Sequence, residues 1–176
     1  MDRPLLLIGC GKMGGAMLRR WLDQDIAEAG IIVVEPLAEA VADLAARPGV
    51  TALRSIEEVG AEVRPAAVVF AVKPQQMDQA APPCARFAAP ETVFLSIAAG
   101  KPIAYFEGRL GTGAAIVRAM PNTPAAVGRG ITVCCANPLV SAAQRALCQR
   151  LLAAVGEVDW VADEALLDPV TAVSGG

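Results

Sequence analysis

Three glycines in the spacing G-x-G-x-x-G, at Gly9, Gly11 and Gly14, follow directly on the apolar run Leu5–Ile8 and open a segment of helical periodicity. A strand that passes into a helix through such a turn fits few architectures. Gly9 lets the chain turn tightly, Gly11 carries no side chain to obstruct a diphosphate, and Gly14 lets the helix pack closely on the strand. The free amides of Lys12 and Met13 then open the helix, where its dipole favours an anion. Along that helix Ala16, Met17, Trp21 and Leu22 fall on one stripe, expected to pack on a sheet.

The rest of the chain continues the pattern. Apolar runs of strand length at Leu5–Ile8, Ile31–Val34, Val50–Leu53, Ala67–Val72, Val93–Ile97 and Ala115–Ala119 alternate with amphipathic segments. Most of these runs are continuous rather than alternating, as in strands buried on both faces. The expected class is α/β: a Rossmann-like, doubly wound, mainly parallel sheet with helices on both faces. Ser55 with Glu58, and Ser141 with Gln144, read as capping boxes that start helices, the second closed by Gly156. Gly130–Cys135 and Glu157–Val161 read as further strands, and Pro82-Pro83 should end or kink the segment after Lys73. Residues 1–162 are expected to form this domain, and 163–176 to begin a connecting helix.

Glu35 supplies the second half of the turn's signature. It stands at the end of the next strand, about 20 residues beyond the last glycine, where a carboxylate can hydrogen-bond a ribose hydroxyl. The ligand implied is a nicotinamide dinucleotide. A 2′-phosphate would lie against that carboxylate, and two unit charges about 4 Å apart repel by roughly 1 kcal/mol in water and 4 at an effective dielectric of 20. Glu35 therefore favours NADH over NADPH.

Composition removes other chemistries. The chain of 176 residues has no histidine, which excludes Ser-His-Asp and Cys-His catalysis and His-ligated zinc within it. No metal site is expected. A net charge of -3 without a basic cluster argues against nucleic acid as a partner. No apolar run reaches the length of a membrane span, and the five apolar residues ahead of Gly9 are too few for a secretory signal. The five cysteines, odd in number and without a C-x-x-C pair, read as reduced thiols of a cytoplasmic protein. Cys10, inside the glycine turn, reads as a small residue that fits there rather than a reactive thiol.

Three later strings, each following an expected strand, are Ala71-Val72-Lys73-Pro74, Ser96-Ile97-Ala98-Ala99-Gly100 and Arg118-Ala119-Met120-Pro121-Asn122-Thr123-Pro124. Together with the glycine turn they make the chain resemble, over essentially its whole length, the pyrroline-5-carboxylate reductases. All three strings begin at the carboxyl ends of strands, where ligands lie in an open parallel sheet. The resemblance implies that Val72, Lys73 and Pro74, and likewise Ala98, Ala99 and Gly100, border the cofactor, with Asn122 near its nicotinamide end. It implies hydride transfer from NADH or NADPH to 1-pyrroline-5-carboxylate, giving proline.

Two departures accompany the likeness. The family frequently accepts NADPH through small polar or basic residues after the second strand, where this chain has Glu35-Pro36-Leu37. Its last residues, Ala172-Val173-Ser174-Gly175-Gly176, resemble the opening of the family's S-G-S-G-P-A-Y segment, with Gly176 where a serine is usual. A helical domain carrying most of the substrate pocket and the dimer interface is expected beyond, so no catalytic residue is assigned within these residues. This chain alone is expected to be inactive, and the full-length enzyme a homo-oligomer. Two other readings stay open on sequence: a reductase of the 6-phosphogluconate and hydroxyacid dehydrogenase group, and a nucleotide-binding module without catalysis.

Overall fold

The apolar runs pair edge to edge into one sheet in a computed structural model, which describes residues 2–122 and 130–167. Strands β1 (Leu5–Ile8), β2 (Ile31–Val34) and β3 (Val50–Leu53) match the sequence reading residue for residue. Strands β4 (Ala67–Phe70), β5 (Val93–Ser96) and β6 (Ala115–Pro121) differ from it by up to two residues at their carboxyl ends. The sheet is completed by β7 (Gly130–Ala136) and β8 (Gly156–Trp160). The order is β3-β2-β1-β4-β5-β6-β7-β8, and every neighbouring pair is parallel except β6 with β7.

Burial on both faces explains the continuous apolar runs, since every residue of β1, β4 and β5 is buried. Alternate residues serve two cores. Leu5, Leu7, Val69 and Leu95 join Met17, Leu18 and Trp21 of α1 (Lys12–Asp23), Val41 of α2 (Ala38–Ala45) and Leu151 of α5 (Ala142–Ala153) on one face. Leu6, Phe70 and Phe94 join Met77 of α3 (Met77–Ala80) and Phe106 of α4 (Ile103–Leu110) on the other. Trp21 is fully buried, and its indole Nε1–H donates to the Leu151 carbonyl at 2.8 Å, tying α1 to α5. The buried stripe of α1 is Gly14, Met17, Leu18 and Trp21, so Leu18 takes the place expected for Ala16.

The Ser141 capping box forms as expected, with Gln144 N–H donating to Ser141 Oγ at 3.2 Å and Ser141 N–H to Gln144 Oε1 at 2.9 Å. The Ser55 box does not. Ile56–Glu58 is a single 3₁₀ turn, and Ser55 makes no side-chain cap. The Arg86 guanidinium donates to the carbonyls of Ile56 and Val59, both at 2.8 Å, while the Ile56 carbonyl also accepts the 3₁₀ bond from Val59 N–H at 3.2 Å. Those carbonyls are the ones a continuing helix would use for its own ladder. After Lys73 the prolines act as anticipated: α3 stops at Ala80 and a 3₁₀ segment, Pro82–Phe87, follows.

Between β1 and β4 the strand order changes direction, since β1 leads outward to β2 while the chain returns from β3 to the other side of β1. Such a switch point opens a crevice at the strands' carboxyl ends. No helix among the described residues is long and apolar enough to cross a membrane, and no cluster of metal-ligating side chains occurs among them. The sequence readings for Thr123, Pro124 and the connecting helix beyond residue 167 lie outside the described residues.

Candidate functional site

The glycine turn sits at that switch point. Gly9 has φ +92°, and a Cβ there would stand 2.7 Å from Val72 Cγ1 and 3.0 Å from the Ala71 carbonyl carbon. Both the left-handed backbone and the close approach of the β4 turn thus require glycine. A Cβ on Gly14 would overlap the Gly9 carbonyl oxygen and lie 3.1 Å from Ala71 Cβ, so this glycine sets how closely α1 approaches β1 and β4. Gly11 is different: it is exposed, and a Cβ there would meet nothing within 4 Å. It is the N-cap of α1 and provides no side-chain cap, and no acidic residue stands in the first turn. The helix therefore presents amides of Lys12 and Met13 with no capping side chain, an arrangement that suits an anion.

Glu35 does not turn away to solvent. Its Oε2 accepts from Cys10 N–H at 2.8 Å and its Oε1 from Leu37 N–H at 3.0 Å, so one carboxylate spans the glycine turn and the start of the segment leading to α2. Each carboxylate oxygen still has a second acceptor direction for a sugar hydroxyl. The sequence named Glu35 but not these two amide partners, which no periodicity signals. Leu37, 59% exposed, is the apolar surface beside them.

All five cysteines are free and buried. Burial first, then the Glu35 carboxylate, raises the Cys10 thiol above its ordinary value, the opposite of a poised thiolate. Burial likewise pushes Cys84 and Cys134 up to about 12 and raises Cys135 and Cys148. The nucleophile in alkylation is the thiolate, so neutral thiols react slowly. A thiol-specific reagent at about pH 8 is expected to label none of the five quickly in the folded chain and all five after denaturation; fast native labelling of Cys10 would contradict this picture.

The remaining residues of the sequence reading gather at the same end of the sheet. Val72 and Pro74 are half-buried beyond β4, while Lys73 is exposed and its N–H donates to Gln76 Oε1 at 3.3 Å. Beyond β5, Ala98 is buried, with its N–H donating to Ser96 Oγ at 3.2 Å, and Ala99 and Gly100 are exposed. Asn122 follows β6, where its Oδ1 accepts from Ile131 N–H at 2.9 Å and its own N–H donates to the Ile131 carbonyl at 3.2 Å. Its carbonyl oxygen is thus spent on joining β6 to β7, a structural task the sequence did not disclose.

Tyr105 braces the outer rim of these turns. Its hydroxyl donates to Asp78 Oδ1 at 2.6 Å, while the Arg109 guanidinium lies 3.6 Å and the Lys101 ammonium 4.4 Å from its ring centre. The hydrogen bonds from Tyr105 and then Arg109 hold the Asp78 carboxyl below its ordinary value. A third carboxylate lies near these turns, and the sequence did not announce it. Glu164, in the 3₁₀ turn Glu164–Leu166 after β8, reaches Arg118 of β6 at 3.1 Å and the Ile103 amide at 2.7 Å.

Residues 5–100 match the family described as NADP oxidoreductase, coenzyme F420-dependent. Among curated proteins, a pyrroline-5-carboxylate reductase of Pseudomonas aeruginosa is 39% identical over 176 residues, 99% of this chain and 64% of that protein. One of Haemophilus influenzae is 35% identical over 97% of this chain and 62% of its own length. The chain therefore spans somewhat under two thirds of these relatives. Among solved structures, a pyrroline-5-carboxylate reductase from Coxiella burnetii superposes with a TM-score of 0.90 at 26% identity, covering 99% of this chain and 64% of that one.

Proposed function

Because the chain belongs to the family of NADP oxidoreductases described as coenzyme F420-dependent, we propose that it is the dinucleotide-binding part of an enzyme that reduces 1-pyrroline-5-carboxylate to L-proline. The observation that carries the reading is the turn itself: open space beside Gly11, an uncapped start of α1, and Glu35 held across both. The residues present fit a dinucleotide. Lys12 and Met13 amides hold the diphosphate, Gly9 and Gly14 keep the turn tight against it, and Glu35 holds the adenosine ribose. Val72, Lys73 and Pro74, and likewise Ala98, Ala99 and Gly100, border the cofactor, with Asn122 near its nicotinamide end. The identity of the curated relatives supports the substrate.

When bound, the reduced nicotinamide supplies the hydride for the C=N carbon. The chain's own share is to fix that end of the cofactor and keep water from it, through placement rather than through a proton-transferring side chain. NADH is the preferred form, since the carboxylate of Glu35 faces the position a 2′-phosphate would take. Residues 1–162 form the nucleotide-binding domain and 163–176 begin the connection to the substrate-binding part. The reading carries with it a cytoplasmic location and a homo-oligomeric whole enzyme.

Thermal unfolding of this chain with increasing NADH and NADPH tests the cofactor assignment. A ligand bound only to the folded state adds about 2.7 kcal/mol at a concentration of about 100 Kd. The midpoint is expected to rise with both nucleotides and at lower concentration with NADH. An unmoved midpoint at millimolar nucleotide would refute the assignment. The substrate is tested by following NADH oxidation with 1-pyrroline-5-carboxylate in the gene product that contains this chain, and absence of turnover there would leave a nucleotide domain of another reductase.

A further inference from the structure

We propose that Glu164 is a positioning residue for the nicotinamide end of the site, because one of its carboxylate oxygens ties the turn after β5 to the strand that leads into Asn122. The inference rests on the reading that the crevice holds a dinucleotide.

Arg118 lies in the middle of β6, 2% exposed, on the face that carries Ile116 and Met120 into the second core. A guanidinium there is tolerated only when charge and hydrogen bonds meet it. One partner comes from 46 residues further along: Glu164 Oε1, which accepts from Arg118 Nη1 at 3.1 Å. The same oxygen accepts from the Ile103 amide at 2.7 Å. Ile103 is the first residue of α4, whose N-cap is Pro102 and offers no side-chain cap. Glu164 thus supplies, from a distant part of the chain, the acceptor that a local cap provides in other helices.

The consequence falls on residues 97–102. At its start this turn is tied by Ile97 N–H to the Phe70 carbonyl at 3.1 Å and by Ala98 N–H to Ser96 Oγ at 3.2 Å. Between the ties, Ala99 and Gly100 are exposed, and Gly100 has φ +69°. Glu164 ties the far end. Arg118 also stands four residues before Asn122, on the strand that leads into it, so the cofactor-bordering turn after β5 and the strand leading to the nicotinamide end share one carboxylate. Hydride transfer tolerates little misplacement, and a shift of about 1 Å can reduce a rate about a hundredfold. The adenosine half is built instead from the Gly9–Gly14 turn after β1 and from Glu35 after β2.

Calorimetric titration of this chain with NADH and with ADP-ribose separates the two halves, because ADP-ribose lacks the nicotinamide ring. Glu164→Ala is expected to weaken NADH about tenfold and ADP-ribose less than about twofold. Glu164→Asp, one methylene shorter, keeps a charge for Arg118 but cannot span both donors; it repeats the loss for NADH even if Glu164→Ala does not fold. Glu164→Gln keeps the acceptor but not the charge facing buried Arg118, so it lowers the melting temperature while retaining more NADH affinity than Glu164→Ala. A residue that merely anchored the connecting segment would lower the melting temperature and leave the ratio of the two affinities unchanged, and equal losses for both ligands, or none, overturn the proposal. Wild-type chain that binds neither ligand removes the dinucleotide reading itself and this inference with it.

Discussion

One methyl group added at Gly11 is expected to leave the fold intact and weaken NADH binding roughly ten- to hundredfold, the equivalent of about 1–3 kcal/mol of steric overlap. The same methyl at Gly14 is expected to destabilise the chain by about 3 kcal/mol or more. The two glycines lie three residues apart in one motif, yet their surroundings differ in kind. At Gly11 the backbone has φ −68°, which any residue adopts, and a Cβ meets nothing within 4 Å. The only thing such a group can obstruct is a ligand. At Gly14 the Cβ meets the Gly9 carbonyl and Ala71 Cβ, which belong to the close-packed junction of β1, α1 and β4 and cannot move separately. Urea denaturation and an NADH titration on Gly11→Ala and Gly14→Ala check both halves. Undiminished NADH binding by Gly11→Ala would mean that no diphosphate lies beside this turn.

That contrast also marks what a sequence discloses. The strands were legible because burial on both faces forces continuous apolar runs, and the turn because Gly9 and Gly14 answer to local sterics. Polar contacts that join distant segments leave no such trace. Arg86, 30 residues from Ile56, binds a carbonyl of the single 3₁₀ turn that stands where a helix was expected. Arg118, a charge inside an apolar strand, announces that it needs partners but not that Glu164 is one. Asn122 gives no sign in the sequence of its bond to Ile131, because the closure of β6 onto β7 that occupies its side-chain oxygen depends on where Ile131 lands. The shift of the α1 stripe from Ala16 to Leu18 is a smaller matter of the same sort, decided by which side of the helix α5 and α2 cover.

Glu35 is proposed as the acid beside the sugar, and its two amide contacts make its replacement informative. Two backbone amides, Cys10 and Leu37, donate to its two oxygens, an arrangement that needs an acceptor at both positions and that only an acid satisfies in full. In Glu35→Gln the side-chain NH₂ must face one of those amides, donor against donor, and an unmatched buried or half-buried amide costs about 1–3 kcal/mol. A modest loss of stability is therefore expected. The larger effect falls on nucleotide choice. Removing the charge abolishes its repulsion of a 2′-phosphate, which at about 4 Å runs from roughly 1 kcal/mol in water to 4 at an effective dielectric of 20. The NADPH-to-NADH affinity ratio should then rise by several-fold to about a thousandfold. Glu35→Ser removes the charge without the misdirected NH₂ and should shift the ratio the same way, with NADH itself bound more weakly for want of the sugar contact. Dissociation constants for both nucleotides, measured on the wild type and the two variants at one ionic strength, decide the matter. A ratio that stays put in both variants would mean that Glu35 serves only to fasten the glycine turn to the segment entering α2, and that selection between the two nucleotides lies with other residues.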